Sequence, residues 1–162
     1  MEDLSLHILD IVENSINARA DRVRIEIVDD EASDTFTITI TDNGVGMDQE
    51  TLKRVMDPFF TTKTVRNFGI GIPLLAQSAE ECGGRLTIES APDKGTELRV
   101  TFQKSHLDMK PIGDIGATMM TLIAGHPEVD YKLVYKRSEY SYELNTAELK
   151  TDLQLEVLRD PV

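Results

Sequence analysis

Four short runs that alternate apolar and polar residues, met in two pairs, constrain this chain more than any other feature of its sequence. "VRIEIV" (23–28) and "TFTITIT" (35–41) flank the polar stretch "DDEASD"; "RLTIES" (85–90) and "ELRVTF" (97–102) flank the turn "APDKG". A period of two sends one side of each run into a core and the other into water. A short polar connection between two such runs reads as an antiparallel hairpin. Two hairpins exclude a purely parallel sheet, so the helices must cover one face of a mixed or antiparallel one.

The helices are legible between the hairpins. In "LSLHILDIVENSINAR" (4–19), Leu4, Ile8, Ile11, Ser15 and Ile16 fall at helical spacing, Leu9 and Val12 widen the stripe, and Asp3 is the candidate N-cap. Residues 48–56 read as a short helix with Asp48 near its start. "PLLAQSAEE" (73–81) is a helix opened by Pro73 and stopped by Gly83 and Gly84. The expected fold is α+β, a two-layer α/β sandwich whose mixed sheet carries helices on one face, over residues 1–102.

Residues 103–162 are expected to form a small α+β extension. After a linker containing Pro111, "DIGATMMTLIAG" (114–125) reads as a helix, "DYKLVY" and "EYSYEL" as strands around "KRS", and Asn145 as the cap of a last helix, "TAELKTDL". All four tyrosines lie between Tyr131 and Tyr142, whereas all five phenylalanines lie at or before Phe102. The tyrosines either pack the tail against the first unit or meet a protein partner, since tyrosine is favoured at interfaces.

Composition narrows the function classes. Seventeen Lys and Arg against 29 Asp and Glu give a net charge of -12, which disfavours duplex nucleic acid and anionic membranes as partners. Cys82 is the sole cysteine, excluding an internal disulfide and a cysteine-based zinc cluster. No apolar run approaches transmembrane length and no signal-like segment opens the chain, so it is expected to be soluble and cytoplasmic.

Three stretches point to a ligand. His7, Asp10, Asn14 and Asn17 are spaced three, four and three apart and share one helix face. Short polar side chains there suit close approach: an amide oxygen can coordinate Mg²⁺ and a carboxylate can orient water. A hydrated helix face has the same spacing. In "DNGVGMD" (42–48), Asp42 ends a strand and can accept from an exocyclic amine such as that of adenine, while Gly44 and Gly46 permit a tight turn and close approach. A purely structural turn fits that stretch too. In "NFGIGIPLL" (67–75), Gly69 and Gly71 precede a helix start, where exposed N–H groups can meet phosphates.

With "KGTEL" (94–98) added, these pieces in this order resemble the Bergerat ATP-binding fold shared by gyrase B, sensor histidine kinases and MutL, the GHKL superfamily. "DIVENSINA" resembles its Asn-bearing helix, "DNGVGMD" its first glycine box and "GIGIPLL" its second. "DPFFTTK" and "GGRLTIESAPDKGTELRVTF" are most similar to the histidine-kinase form. The resemblance implies ATP and Mg²⁺ as cofactors, with Mg²⁺ held by Asn14 and the adenine amino group met by Asp42 with support from Thr96. It places Gly44, Gly46 and Met47 along the base, and the backbone of Gly69, Ile70, Gly71 and Ile72 near the phosphates. Asn17 and Lys63 would stand close to phosphate. Asp10 would be the catalytic carboxylate, although hydrolysing members carry the longer Glu there, and the lid "TVRNF" is short.

Histidine kinases carry their phosphorylated histidine ahead of this domain. His7 lies inside the binding helix, and His106 and His126 are expected to be ordinary loop residues. The chain is therefore expected not to be a complete two-component kinase by itself. The expected function is that of an ATP-binding regulatory ATPase or kinase-like protein. It would transfer or hydrolyse the γ-phosphate and act on a protein partner. The alternative is a nucleotide-dependent interaction module with little catalysis.

Overall fold

The structure is a computed structural model and describes residues 3–57 and 71–149. Most of "DPFFTTK", the lid "TVRNF", and Lys63, Gly69 and Ile70 lie outside the described residues, as does the end of the last expected helix. The elements run α1 (Leu4–Asn17), β1 (Arg22–Asp30), β2 (Thr35–Asp42), α2 (Gln49–Met56), α3 (Gly71–Glu81), β3 (Arg85–Ser90), β4 (Thr96–Gln103), α4 (Ile115–Gly125), β5 (Asp130–Arg137) and β6 (Tyr140–Asn145).

Both expected hairpins form, and they join through β2 and β4. The sheet order is β3-β4-β2-β1-β5-β6. Among the described residues only the β1–β5 pair is parallel, so the sheet is mixed. The tail beyond Phe102 thus continues the sheet. The chain crosses back through α4 and lays β5 along β1, giving that strand's outer N–H and C=O groups their partners.

The register aligns apolar side chains in rows across all six strands. One row is Leu86, Val100, Ile38, Ile27, Tyr135 and Tyr142; the next is Ile88, Leu98, Ile40, Ile25, Leu133 and Leu144. These rows pack with Leu4, Ile8, Ile11 and Val12 of α1, Leu75 and Ala79 of α3, and Met119 and Leu122 of α4. Helix α1 touches both α3 and α4. On the other face lie Thr37, Thr39, Arg99, Thr87, Glu26 and Lys132, with ion pairs Arg24–Glu26 and Lys132–Glu143 at 2.9 and 3.3 Å.

The helix starts expected at Asp3, Asp48 and Asn145 are capped, and the structure adds a cap at Asp114. Asp3 Oδ1 accepts from Leu6 N at 3.1 Å, Asp48 Oδ1 from Thr51 N at 2.7 Å and Asp114 Oδ1 from Ala117 N at 2.9 Å. Asn145 Oδ1 accepts from Ala147 N at 3.1 Å, and residues 146–149 are helical. The linker adds a second cap: Leu4 N and Ser5 N donate to the carbonyls of Pro111 and Ile112 at 3.0 and 2.8 Å. Two of the N–H groups that a helix leaves unpaired at its start are satisfied this way. At the far end of the sheet, buried Asp29 binds Lys104 Nζ at 2.8 Å and lies 3.7 Å from Arg137 Nε, joining β1, the turn after β4, and β5. The Asp29 carboxylate is the main cause that raises the Lys104 amine above its ordinary value.

Tyr131 sits where the tail meets the rest. It is 1 % exposed and its hydroxyl donates to Leu122 O at 3.2 Å. Burial, with Glu128 and Glu13 nearby, pushes this phenol up to about 12 from 10.0. As pH rises the unfolded chain loses this proton first, so the group's contribution is complete below about pH 10 and is lost as pH climbs toward 12. Tyr131→Phe should cost about 1 kcal/mol at pH 8, the size of one hydrogen bond. The gap between the two proteins should narrow above pH 10. Urea unfolding at both pH values checks this.

Candidate functional site

Asp42 is the last residue of β2, opposite Thr96 of β4 and Val23 of β1. Beyond it the chain turns between two backbones. Val45 N donates to Ala18 O at 2.9 Å on one side, and Asp93 N donates to Val45 O at 2.7 Å on the other. A Cβ on Gly44 would lie 2.7 Å from Ala18 O, and one on Gly46, where φ is +71°, would lie 1.9 Å from Ala91 O. The glycines are therefore demanded by backbone packing alone. Asn43 locks the turn from outside, its Oδ1 accepting from Asp21 N and Arg22 N at 3.0 and 2.9 Å.

The turn fixes the Asp42 carboxylate. Oδ1 accepts from Gly44 N at 2.9 Å and Oδ2 from Ser15 Oγ at 2.7 Å. Asp42 opens onto a recess that it lines together with Asn14, Gly46, Met47, Ile72 and Thr96, and Ile11, Ile40 and Leu98 supply apolar surface. Six of the residues singled out from the sequence thus meet around one concavity, and Gly44 lies in the adjoining turn. An apolar pocket with a few fixed polar groups is the usual form of a small-molecule site.

Asp10 and Gly71 lie beside one another: a Cβ on Gly71 would be 3.5 Å from Asp10 Cβ. The start of α3 therefore abuts the polar face of α1. Asn17 is exposed at the last residue of α1 and is not among the lining residues. His7 departs from the expected polar stripe, being buried at 3 % exposure, because its position on α1 faces inward beside Leu4 and Ile8. His106 lies in a turn, but His126 caps α4 and its Nε2 is 3.0 Å from Glu13 Oε2 on α1.

Two serines escaped the sequence reading. Ser15 looked like one more member of the apolar stripe, yet it donates to Asp42. A hydroxyl at a core position of an otherwise apolar stripe was the available signal. Ser90 accepts from Met47 N at 2.8 Å and lies 2.8 Å from Thr96 Oγ1. Spacing could not reveal it, since only the register of β3 against β4 brings it opposite Thr96.

Among the described residues no group of three or more His, Cys, Asp or Glu could hold a metal ion. The Asn14 amide in the recess, with Asp10 one turn earlier on α1, fits a cation that takes most of its ligands from an anionic guest and water. No helix among the described residues is long and apolar enough to cross a membrane. Because Gly46 combines positive φ with a backbone obstruction, Gly46→Ala should destabilise the fold by about 1–3 kcal/mol or more. A thermal melt checks this, and an unchanged midpoint would contradict the tight turn.

Comparisons with known proteins bear on the fold and on the family. The chain is 33 % identical over 103 residues to a putative sensor protein of Shewanella frigidimarina, covering 62 % of this chain and 16 % of that protein. It is 27 % identical over 96 residues to sporulation kinase A of Bacillus subtilis, covering 59 % and 16 %. It thus spans about a sixth of the length of these relatives. Among solved structures, the Aquifex aeolicus MutL ATPase domain complexed with ADP shares the fold, with a TM-score of 0.52 and 18 % identity over 87 % of this chain and 63 % of that one. Residues 2–106 match the family described as Histidine kinase-, DNA gyrase B-, and HSP90-like ATPase, and the chain belongs to that family.

Proposed function

We propose that the recess binds the adenine of ATP and that the chain is a regulatory ATPase or kinase-like protein acting on a protein partner. The fixed carboxylate of Asp42 carries this reading. A carboxylate has about four acceptor positions, and Ser15 and Gly44 N occupy two, leaving capacity for the exocyclic amine of the base. The apolar groups of Ile11, Ile40 and Leu98 suit a flat aromatic ring. Ile72 and Gly71, at the start of α3, would bring backbone toward the phosphates, and the family resemblance assigns Gly69, Ile70 and Lys63 to the same task. Asn17 would stand at the edge of the phosphate region.

Asn14 would offer its amide oxygen to Mg²⁺, which when bound supplies charge neutralisation at the phosphates. Asp10 is exposed beside the start of α3, where it would orient an acceptor hydroxyl or water. Relatives named as a sensor protein and a sporulation kinase support a regulatory role. A nucleotide-gated interaction module is the second reading. It is favoured by the seat of α4 on α1, where His126 meets Glu13, the neighbour of Asn14. Nucleotide bound at Asn14 would then be felt by the tail. Incubation with labelled ATP and a host extract separates the two: transfer to one protein supports the kinase reading, and ATP-dependent capture without transfer supports the module.

Asp42→Asn should weaken ATP binding and lower its preference over GTP, because the amide presents a donor as well as an acceptor. Calorimetric titration of both nucleotides tests this, and unchanged affinity and selectivity would reject the base assignment. Turnover should lie well below the usual range of about 1–10³ per second, since the short Asp10 side chain reaches less far than Glu. Asp10→Asn should slow phosphate release further without loosening ATP. Fast release that survives this change would leave Asp10 without a catalytic role.

A further inference from the structure

We propose that Ser90 is a positioning residue that sets the base selectivity of the recess, by holding the Thr96 hydroxyl as an acceptor so that the wall it forms with Asp42 offers no free proton. This rests on the reading of the recess as an adenine-nucleotide site. Ser90 stands opposite Thr96 across β3 and β4 and does not itself line the recess.

The Ser90 hydroxyl has three close neighbours. It accepts from Met47 N at 2.8 Å, contacts the Gly95 carbonyl oxygen at 2.9 Å and lies 2.8 Å from Thr96 Oγ1. A hydroxyl owns one proton and two acceptor positions. The Gly95 oxygen cannot donate, so the Ser90 proton must lie between these two oxygens; otherwise two bare acceptors would face each other at 2.9 Å. The bond to Thr96 must then be donated by Thr96. Ser90 is saturated, with one bond donated and two accepted, and the Thr96 proton points away from the guest.

The same accounting holds for Asp42. The Ser15 proton is spent on Asp42 Oδ2 at 2.7 Å, with Ile11 O the other acceptor in reach at 3.3 Å, and Gly44 N–H is spent on Oδ1. The wall made by Asp42 and Thr96 therefore presents only lone pairs. A 6-aminopurine brings two N–H donors to such a wall and can meet it directly. A 6-oxopurine keeps a donor only at N1 and turns a bare carbonyl oxygen to the wall where adenine offers its amine, so it is disfavoured because that oxygen finds no proton.

The test compares ATP with ITP, which differ at this edge of the base, by calorimetry of the full chain at constant Mg²⁺. Wild type should favour ATP. In Ser90→Ala the Thr96 hydroxyl is free to turn and donate to the 6-oxo group. The ATP-over-ITP ratio should fall by about fivefold or more, the scale of one hydrogen bond, with ITP affinity rising relative to ATP. Ser90→Thr, which keeps the hydroxyl, should restore the ratio. If Ser90→Ala weakens both nucleotides by the same factor, Ser90 only holds the turn through Met47 N, and the proposal is overturned. Should Ser90→Ala fail to fold, Thr96→Val removes the acceptor while leaving the Ser90 bonds to Met47 and Gly95. Its ratio must fall too, and an unchanged ratio overturns the proposal. A wild-type chain that takes up neither nucleotide overturns the site reading itself, and this proposal with it.

Discussion

The contact between three stretches of backbone, at residues 18, 44–46 and 91–95, is the constraint on which the site depends. The turn after β2 is gripped by the end of α1 through Ala18 and by the β3–β4 turn through Ala91 and Asp93. Neither side leaves room for a Cβ at Gly44 or Gly46. That grip holds Asp42 within 2.7 Å of Ser15, and it brings Met47 N to Ser90. A helix and two hairpins, distant in sequence, thus converge on one carboxylate. The position of that carboxylate is set by hydrogen bonds between rigid elements and needs no guest to create it, which is the condition for selective binding at low entropic cost.

The sheet explains why the convergence is stable. Its two central strands, β2 and β1, are paired on both sides, and the strand that bears Asp42 is one of them. The apolar rows run uninterrupted from β3 to β5 beneath α1, α3 and α4. At the β6 edge the pattern frays. Tyr142 occupies a core row by register but is 58 % exposed, on the strand that ends the sheet. Charge pairs serve at the margins, as with Asp29, where a buried carboxylate requires Lys104 beside it.

Much of this was legible from period and punctuation. Alternation located the strands of both hairpins, and Asp3, Asp48 and Asn145 announced helix starts because a short polar side chain there satisfies free N–H groups. The parallel pairing of β5 with β1 was not legible. Alternation states which face is buried but not which strand is the neighbour, and the long connection through α4 leaves several edges open. Of the site, Asp42, Asn14 and Thr96 were legible because their residue types fit a motif. Ser15 and Ser90 meet the recess residues through Asp42, 27 residues away, and through Met47 and Thr96, 43 and 6 residues away, and such pairings follow from how the elements are brought together. His7 was misread for a related reason: helical spacing groups residues by face, but the width of the buried face is decided by how many neighbours press on the helix, and here both α3 and α4 do.

The linker that caps α1 has a consequence for how the chain can be divided. The region matching the family ends at residue 106, short of Pro111 and Ile112, whose carbonyls receive Leu4 N and Ser5 N. A fragment cut there keeps every element around Asp42 but strips the first turn of α1 of two bonds and leaves β1 as a bare edge. The helix that carries Asn14 would then fray from its start, and the newly opened strand would seek pairing with other chains. Residues 111–137 thus complete the first helix and the first strand of the family-matching region, and removing them would trade a smaller protein for a stickier one.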